Sequence, residues 1–318
     1  MIDSASRRYL VSDLIEFVGM PCEISGSPEG KYFTHASPVG DAVANSVVFV
    51  AAERKDKIEL FERTRAQIIV ADPSLKQLGS QEKCLVIVSE PKLAFARIVG
   101  HCFSMSSLSG IHPSSVIHPE ARIGDGVTIG AFTYIGRCTI ETGSTIHGHC
   151  HLYDQTVIGR NVTIQAGTVI GAQGFGYMKN EAGDWENFPH VGGVVIEDDV
   201  EIGSNTSIDR GSLGNTLICR GAKIDNLVHV AHNVIIGKNA IVIAHAMIGG
   251  STQVGDRAWI SPHTAIRDGL KVGDSALIGM GAVVTKDVPA GETWIGSPAR
   301  SMQEFQRTQA TLRSLDKK

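Results

Sequence analysis

The sequence predicts a mainly β chain whose greater part is a solenoid of very short strands, with a small α/β domain before it and one helix after it. Three observations predict this. An aliphatic residue recurs at every sixth position through most of residues 107–299, glycine is abundant at 35 residues while aromatics make up only 6%, and the six-residue beat is missing before residue 106 and after residue 300.

Residues 1–106 come first. "SVVFVAAER", "AQIIVAD" and "KCLVIVSE" read as three short buried strands, and "KDKIELFERTR" and "PKLAFARIVGHCF" as helical stretches, which together make a small α/β domain. The repeat then opens at Ile111, Ile117, Ile123, Ile129 and Ile135, slips by one to Ile140, and runs on through Ile146, Leu152, Ile158, Ile164 and Ile170. It returns at Ile196, Ile202 and Ile208. From Ile218 to Val284 it keeps one phase without a break, and every one of those positions is a β-branched aliphatic. Neither an amphipathic helix nor ordinary strands with variable turns would hold a single phase so long.

Two positions before the aliphatic residue a small one is common, as at Ala222, Ala240 and Ala258, and one position after it glycine recurs, as at Gly237, Gly249 and Gly255. Side chains alternate faces along a strand, so both the small and the aliphatic residue point inward, and the glycine is expected to permit the turn. Each hexad is then a short strand plus a corner. Coils stacked about 4.8 Å apart bury one another's aliphatic faces, so a chain poor in aromatics still builds a core.

Two insertions break the beat. "GAQGFGYMKNEAGDWENFPHVGGVV", spanning the loop at 171–194, brings in Phe175, Tyr177, Trp185 and Phe188, and "DRGSLGNTL" follows Ile208. Loops that leave a solenoid lie on its outside, and aromatic ones line a cleft or a subunit contact. The tail from 300 to 318 spaces Met302, Phe305, Leu312 and Leu315 at helical intervals and carries five basic against two acidic residues. It is either a solvated capping helix or a docking site.

With 29 basic and 33 acidic residues and a net charge of -4, the chain has no overall positive field to hold nucleic acid. It shows no apolar run of transmembrane length, and Asp13 and Glu16 fall where a signal peptide would need an apolar core, so a cytoplasmic location is expected. The six cysteines form no CxxC pair and read as reduced, structural thiols.

Several histidines compete for a chemical role. His147, His149 and His151 in "HGHCH" would share one side of an extended segment, at a spacing open to zinc or copper, but no further ligand pair accompanies them and no metal site is expected. His245 and His263 lie one 18-residue coil apart and should stack, as a functional pair or as a surface ladder. His232, in "KIDNLVHVAHNVIIG", could take a proton near neutral pH, its reference pKa being about 6.5. On its own it is one histidine among twelve, and a structural role stays open.

"GFGY" at 174–177, "IEDDVEIGSNTSIDRGSL" at 196–213 and "KIDNLVHVAHNVIIG" at 223–237 closely resemble the N-acyltransferases of lipid A biosynthesis within the hexapeptide-repeat acyltransferases. The resemblance implies a left-handed parallel β-helix of three hexads per coil, an N-terminal domain that binds the nucleotide sugar, and homotrimers with active sites between neighbouring helices. It implies transfer of a 3-hydroxyacyl group to the 2-amino group of a UDP-3-O-acylglucosamine. The donor would be the phosphopantetheine thioester of acyl carrier protein, or acyl-CoA in a paralogue, with no permanently bound cofactor.

In that reading His232 is the general base. Gly250, one coil beyond it, offers its backbone N–H to the oxyanion. Asp225 and Asn226 orient the base or the sugar, Phe175 and Tyr177 wall the cleft, and Phe49 stacks on uracil. The family follows that Phe with an Asn and a Tyr at three-residue steps, where this chain has Ala52 and Lys55. It often has a second histidine near Gly269 and a bulky acyl-chain stop at Ala282. "GAVVTKDVPAGETWIGSPAR" at 281–300 resembles the closing coil of sugar acetyltransferases that use acetyl-CoA. A non-catalytic solenoid that only binds a ligand is the alternative outside the enzymes.

Overall fold

The computed structural model describes residues 7–103 and 109–315. The expected boundary at residues 106 and 107 and the last three residues of the expected tail helix lie outside them. The chain divides into two compact units, residues 1–107 and 108–318.

The first unit is built on a five-stranded sheet. Its strand order is Glu23–Ser25, Cys84–Ile87, Ile68–Ala71, Ser46–Phe49 and His35–Ala36, with the first pairing antiparallel and the others parallel. The three apolar runs of the sequence are its central strands, and they are covered on both faces, as their unbroken hydrophobicity requires. Val47, Ile68, Val70 and Val86 pack with Leu14, Val18, Ala94 and Ile98 of the helices Val11–Val18 and Pro91–Cys102. Val48, Ile69, Leu85 and Ile87 face the other way, onto Phe61 of the helix Lys57–Arg63. Gly19, in the left-handed conformation at φ 63°, ends the first helix.

The second unit is a parallel β-helix with three sheets of two- to four-residue strands. Ile224 pairs with Val242, Val242 with Ile260 and Ile260 with Ile278, so one coil takes 18 residues and each aliphatic residue stacks on its successor. The one-residue slip after Ile135 shortens a coil, and Ile129 pairs with Ile146. After the insertions the register resumes: Ile158 pairs with Ile196, and Ile208 with Val230.

The aliphatic ladder is buried from Ile129 onward, and the alanines two positions before it fill the remaining space inside. Each such isoleucine or valine contributes on the order of 1.5–3 kcal/mol by leaving water. Inside the prism, Ser144, Thr168 and Thr206 hold the coils together. Thr206 Oγ1, for example, donates to the carbonyl of Asp225 at 2.8 Å and accepts from the N–H of Val228 at 3.2 Å.

The recurrent glycine has a different job from the turn expected of it. A Cβ on Gly237 would lie 2.5 Å from the carbonyl carbon of Gly255, so this position is glycine because the next coil's backbone passes against it. The left-handed turn falls two residues later, at Asn239 (φ 55°) and Ser251 (φ 58°). The helix Met302–Leu315 follows the last coil.

Candidate active site

His232 sits in the corner between the strands His229–Val230 and Ile235–Ile236. Both insertions leave the solenoid at this same edge. The long one runs from the strand Val169–Ala172 to Val194–Ile196, the short one from Ser207–Asp209 to Thr216–Ile218, and in each case the chain passes between the same two sheets as it does around His232.

Backbone hydrogen bonds knit the two loops together: Val191 N–H to the Ser212 carbonyl, Gly192 N–H shared between the Gly211 and Ser212 carbonyls, and Gly211 N–H to the Gly193 carbonyl. Asn233 fastens them to the corner, its Oδ1 accepting from the N–H of Ser212 at 2.8 Å and its Nδ2 donating to Ser212 Oγ at 2.8 Å. At φ 60° it also makes the left-handed turn, a conformation that asparagine tolerates well.

The imidazole of His232 is only partly exposed, and its Nε2 faces Gly250. A Cβ at residue 250 would lie 2.7 Å from that nitrogen. At some equivalent corners the N–H is capped by a side chain from the following coil, as Lys238 is by Asp256 and Asp256 is by Asp274. Asp268 occupies that place beyond Gly250, yet among the described residues nothing accepts from the Gly250 N–H. Burial depresses the pKa of His232, the imidazoles of His190 and His229 depress it further, and Asp268 partly opposes them. The ring is therefore held neutral, with a lone pair to offer at neutral pH.

Beside it lies a hollow of about 440 Å³ lined by Gln173, Gly174, Phe175, Tyr177, Asn187, Asp209 and His229. Asp209 is buried in its wall, and that burial raises the pKa of its carboxyl, against the pull of His229 and His190. His229 Nε2 stands 3.8 Å from Asp209 Oδ2. Phe175, 84% exposed, and Tyr177 also border a more apolar hollow of about 450 Å³ with Trp185 on the hairpin Tyr177–Lys179 and Trp185–Asn187.

The other expected site residues are placed apart. Asp225 and Asn226 turn the neighbouring corner, before the strand His229–Val230, and line a separate groove of about 560 Å³. Asp225 accepts from the N–H groups of Asn226 and Ala244, and Asn226 from that of Ser204, so within one chain neither orients His232. Phe49 lies in the first unit, tilted against Phe95 at 4.8 Å.

The run from His147 to His151 is not one extended segment. His149, at φ 61°, turns a corner in its middle and stacks on Phe132, while His151 lies between Tyr134 and Tyr153. Among the described residues no cluster of three His, Cys, Asp or Glu side chains is placed to hold a metal ion. His245 and His263 stack, their rings 4.8 Å apart and parallel to within 2°, on the exposed surface.

His190, Asp209, His229 and Asn233 were missed in the sequence. Asp209 and His229 belong to adjacent coils, where Ser207 pairs with His229, a juxtaposition the repeat arithmetic could have shown once the short insertion was counted out. His190 sits in the phase-less insertion, where no periodicity speaks.

The fold and this corner define a hexapeptide-repeat acyltransferase. Residues 137–172 match the bacterial transferase hexapeptide (six repeats) family. A solved UDP-N-acetylglucosamine acyltransferase from Bacteroides fragilis superposes with a TM-score of 0.55 at 29% identity, over 60% of this chain and 73% of that one. The UDP-3-O-acylglucosamine N-acyltransferase of Methylobacterium sp. (strain 4-46) is 32% identical over 305 residues, 88% of this chain and 86% of its own length. That of Coxiella burnetii (strain RSA 493 / Nine Mile phase I) is 34% identical over 267 residues, 77% of this chain and 75% of its own length. The chain belongs to the UDP-3-O-acylglucosamine N-acyltransferase family, and its solenoid is the left-handed β-helix.

Proposed function

We propose that the protein transfers a 3-hydroxyacyl group from the phosphopantetheine thioester of acyl carrier protein to the 2-amino group of a UDP-3-O-acylglucosamine, a step of lipid A biosynthesis. His232 is the general base. As the amine nitrogen attacks the thioester carbonyl, its proton passes to Nε2 of His232 and the carbonyl oxygen becomes an oxyanion. The C–S bond then breaks, and the departing sulfur takes the proton back from the imidazolium. This returns the base and leaves an amide and a free thiol, with no redox change.

The observation that carries this reading is the close approach of His232 Nε2 to Gly250, whose N–H has no acceptor among the described residues. A preformed donor aimed at developing charge is worth about 10²–10³ in kcat. Family membership and the depressed pKa of the partly buried imidazole support it.

Asp225 and Asn226 enter the same proposal through a second copy. In a homotrimer, the corner that carries them packs against the His232 corner of a neighbouring chain, where they serve the sugar. Phe175 and Tyr177 wall the cleft, and Phe49 serves the uracil from the first unit. No described helix is long and apolar enough to cross a membrane, and the reaction proposed here is a cytoplasmic one.

The test supplies purified protein with a UDP-3-O-acylglucosamine and either 3-hydroxyacyl carrier protein or the matching CoA thioester, and weighs the products. An amide on the 2-amino group with the carrier-protein donor is expected. Amide formation from acetyl-CoA alone, on a different sugar, would replace this reading with that of a sugar acetyltransferase.

A further inference from the structure

His190 comes from the long insertion and is 5% exposed, packed edge-on against His232 with ring centroids 4.9 Å apart. Its Nδ1 lies 2.9 Å from the carbonyl oxygen of Phe188. A carbonyl only accepts, so Nδ1 carries the hydrogen, and in the neutral ring Nε2 keeps a lone pair.

That Nε2 is buried and finds no hydrogen-bond partner among the described residues. The same is true of Nδ1 of His232. Buried polar atoms are nearly always satisfied, so a pair of unsatisfied ones needs an explanation. Both face the same small space. A Cβ on Gly174 would lie 2.9 Å from the first nitrogen and 3.0 Å from the second, so the two converge where residue 174 has no side chain. They lie no more than about 5.9 Å apart and make no direct hydrogen bond as the rings stand, a gap that a rotation of either ring or one bridging water can close.

We propose that His190 is a positioning residue: it accepts a hydrogen bond from Nδ1–H of His232 in the space left open by Gly174, and so fixes His232 in the tautomer whose lone pair is on Nε2. That lone pair is the one that faces Gly250. A histidine whose second nitrogen is not engaged favours the opposite tautomer, with the hydrogen on Nε2, where it could not take a proton from the substrate. Gly174 and His190 thus explain each other: any side chain at 174 would wedge the two rings apart.

The inference rests on His232 being the base, and its test separates the two claims. Long-range ¹H–¹⁵N correlation spectra of ¹⁵N-histidine-labelled protein read the tautomer directly, with His232 assigned by its loss in His232→Ala. Wild type is expected to show the Nδ1–H pattern at residue 232. His190→Phe and Gly174→Ala, with unchanged circular dichroism, are expected to shift it to Nε2–H and to lower kcat about 10- to 100-fold at little-changed KM. His190→Gln, whose amide oxygen can accept the same hydrogen, is expected to restore both the tautomer and most of the rate. An Nε2–H tautomer in wild type, or an Nδ1–H pattern that survives His190→Phe, would overturn the inference and leave the base assignment standing. Full activity of His232→Ala would instead sink the base assignment.

Discussion

Replacing Gly250 with alanine adds one carbon at the point where the reading places the chemistry, and the structure gives the size of the insult. The new Cβ would lie 2.7 Å from Nε2, 2.8 Å from Cε1 and 3.2 Å from Cδ2 of His232. Such contacts relax only near 3.5 Å or beyond, so the imidazole must withdraw by about 1 Å. A misplacement of that size costs about 10²-fold in rate, or roughly 2.7 kcal/mol in the barrier.

The backbone itself should accept the change. Gly250 is not among the residues with positive φ, and Gly→Ala at a compatible site lowers the entropy of the unfolded chain, worth about 0.4–1 kcal/mol in favour of folding. Gly237→Ala is the contrasting control, because its Cβ meets the backbone of the next coil, which cannot move aside. In a continuous thiol-release assay paired with thermal melts, Gly250→Ala should lose about two orders of magnitude in kcat with its melting temperature kept or raised. Gly237→Ala should melt earlier. A Gly250→Ala enzyme of wild-type kcat would refute the placement of the base against residue 250.

Two further outcomes follow from the same geometry. Because burial and neighbouring imidazoles depress the pKa of His232, the acid limb of kcat/KM should fall below the ordinary histidine value of about 6.5, and Asp268→Asn, which removes the one opposing charge, should move it lower still; a limb that moves up in that variant would contradict the assignment. Thr206→Val leaves the Asp225 carbonyl and the Val228 N–H without their buried partner and should cost roughly 1–3 kcal/mol, read as a lowered urea midpoint.

How far the sequence spoke follows from what repeats. The six-residue beat located the solenoid because every buried aliphatic is also a stacking contact, as when Ile224 meets Val242 and Val242 meets Ile260, so one physical requirement is written many times over. The strands of the first unit were legible for a related reason: burial on both faces leaves unbroken apolar runs at Ile68–Ala71 and Cys84–Ile87.

The corner around His232 was legible only in part. His232 and Gly250 stand in the regular repeat, one coil apart, and could be set side by side by arithmetic. His190 could not, because an insertion carries no period and its fold depends on backbone pairing with the second loop near Gly192 and Gly211. Asp225 is close to His232 in sequence but stands at the next corner of the same chain, because the intervening strand carries the chain across a face of the prism.

The most direct measurement is the single-turnover rate of amide formation by His232→Ala, with saturating acyl-carrier donor and UDP-3-O-acylglucosamine, beside the wild-type protein. The account predicts a rate lower by about 10²–10⁴-fold with donor binding retained. A variant that forms the amide as fast as the wild type would show that the proton leaves the amine by another route.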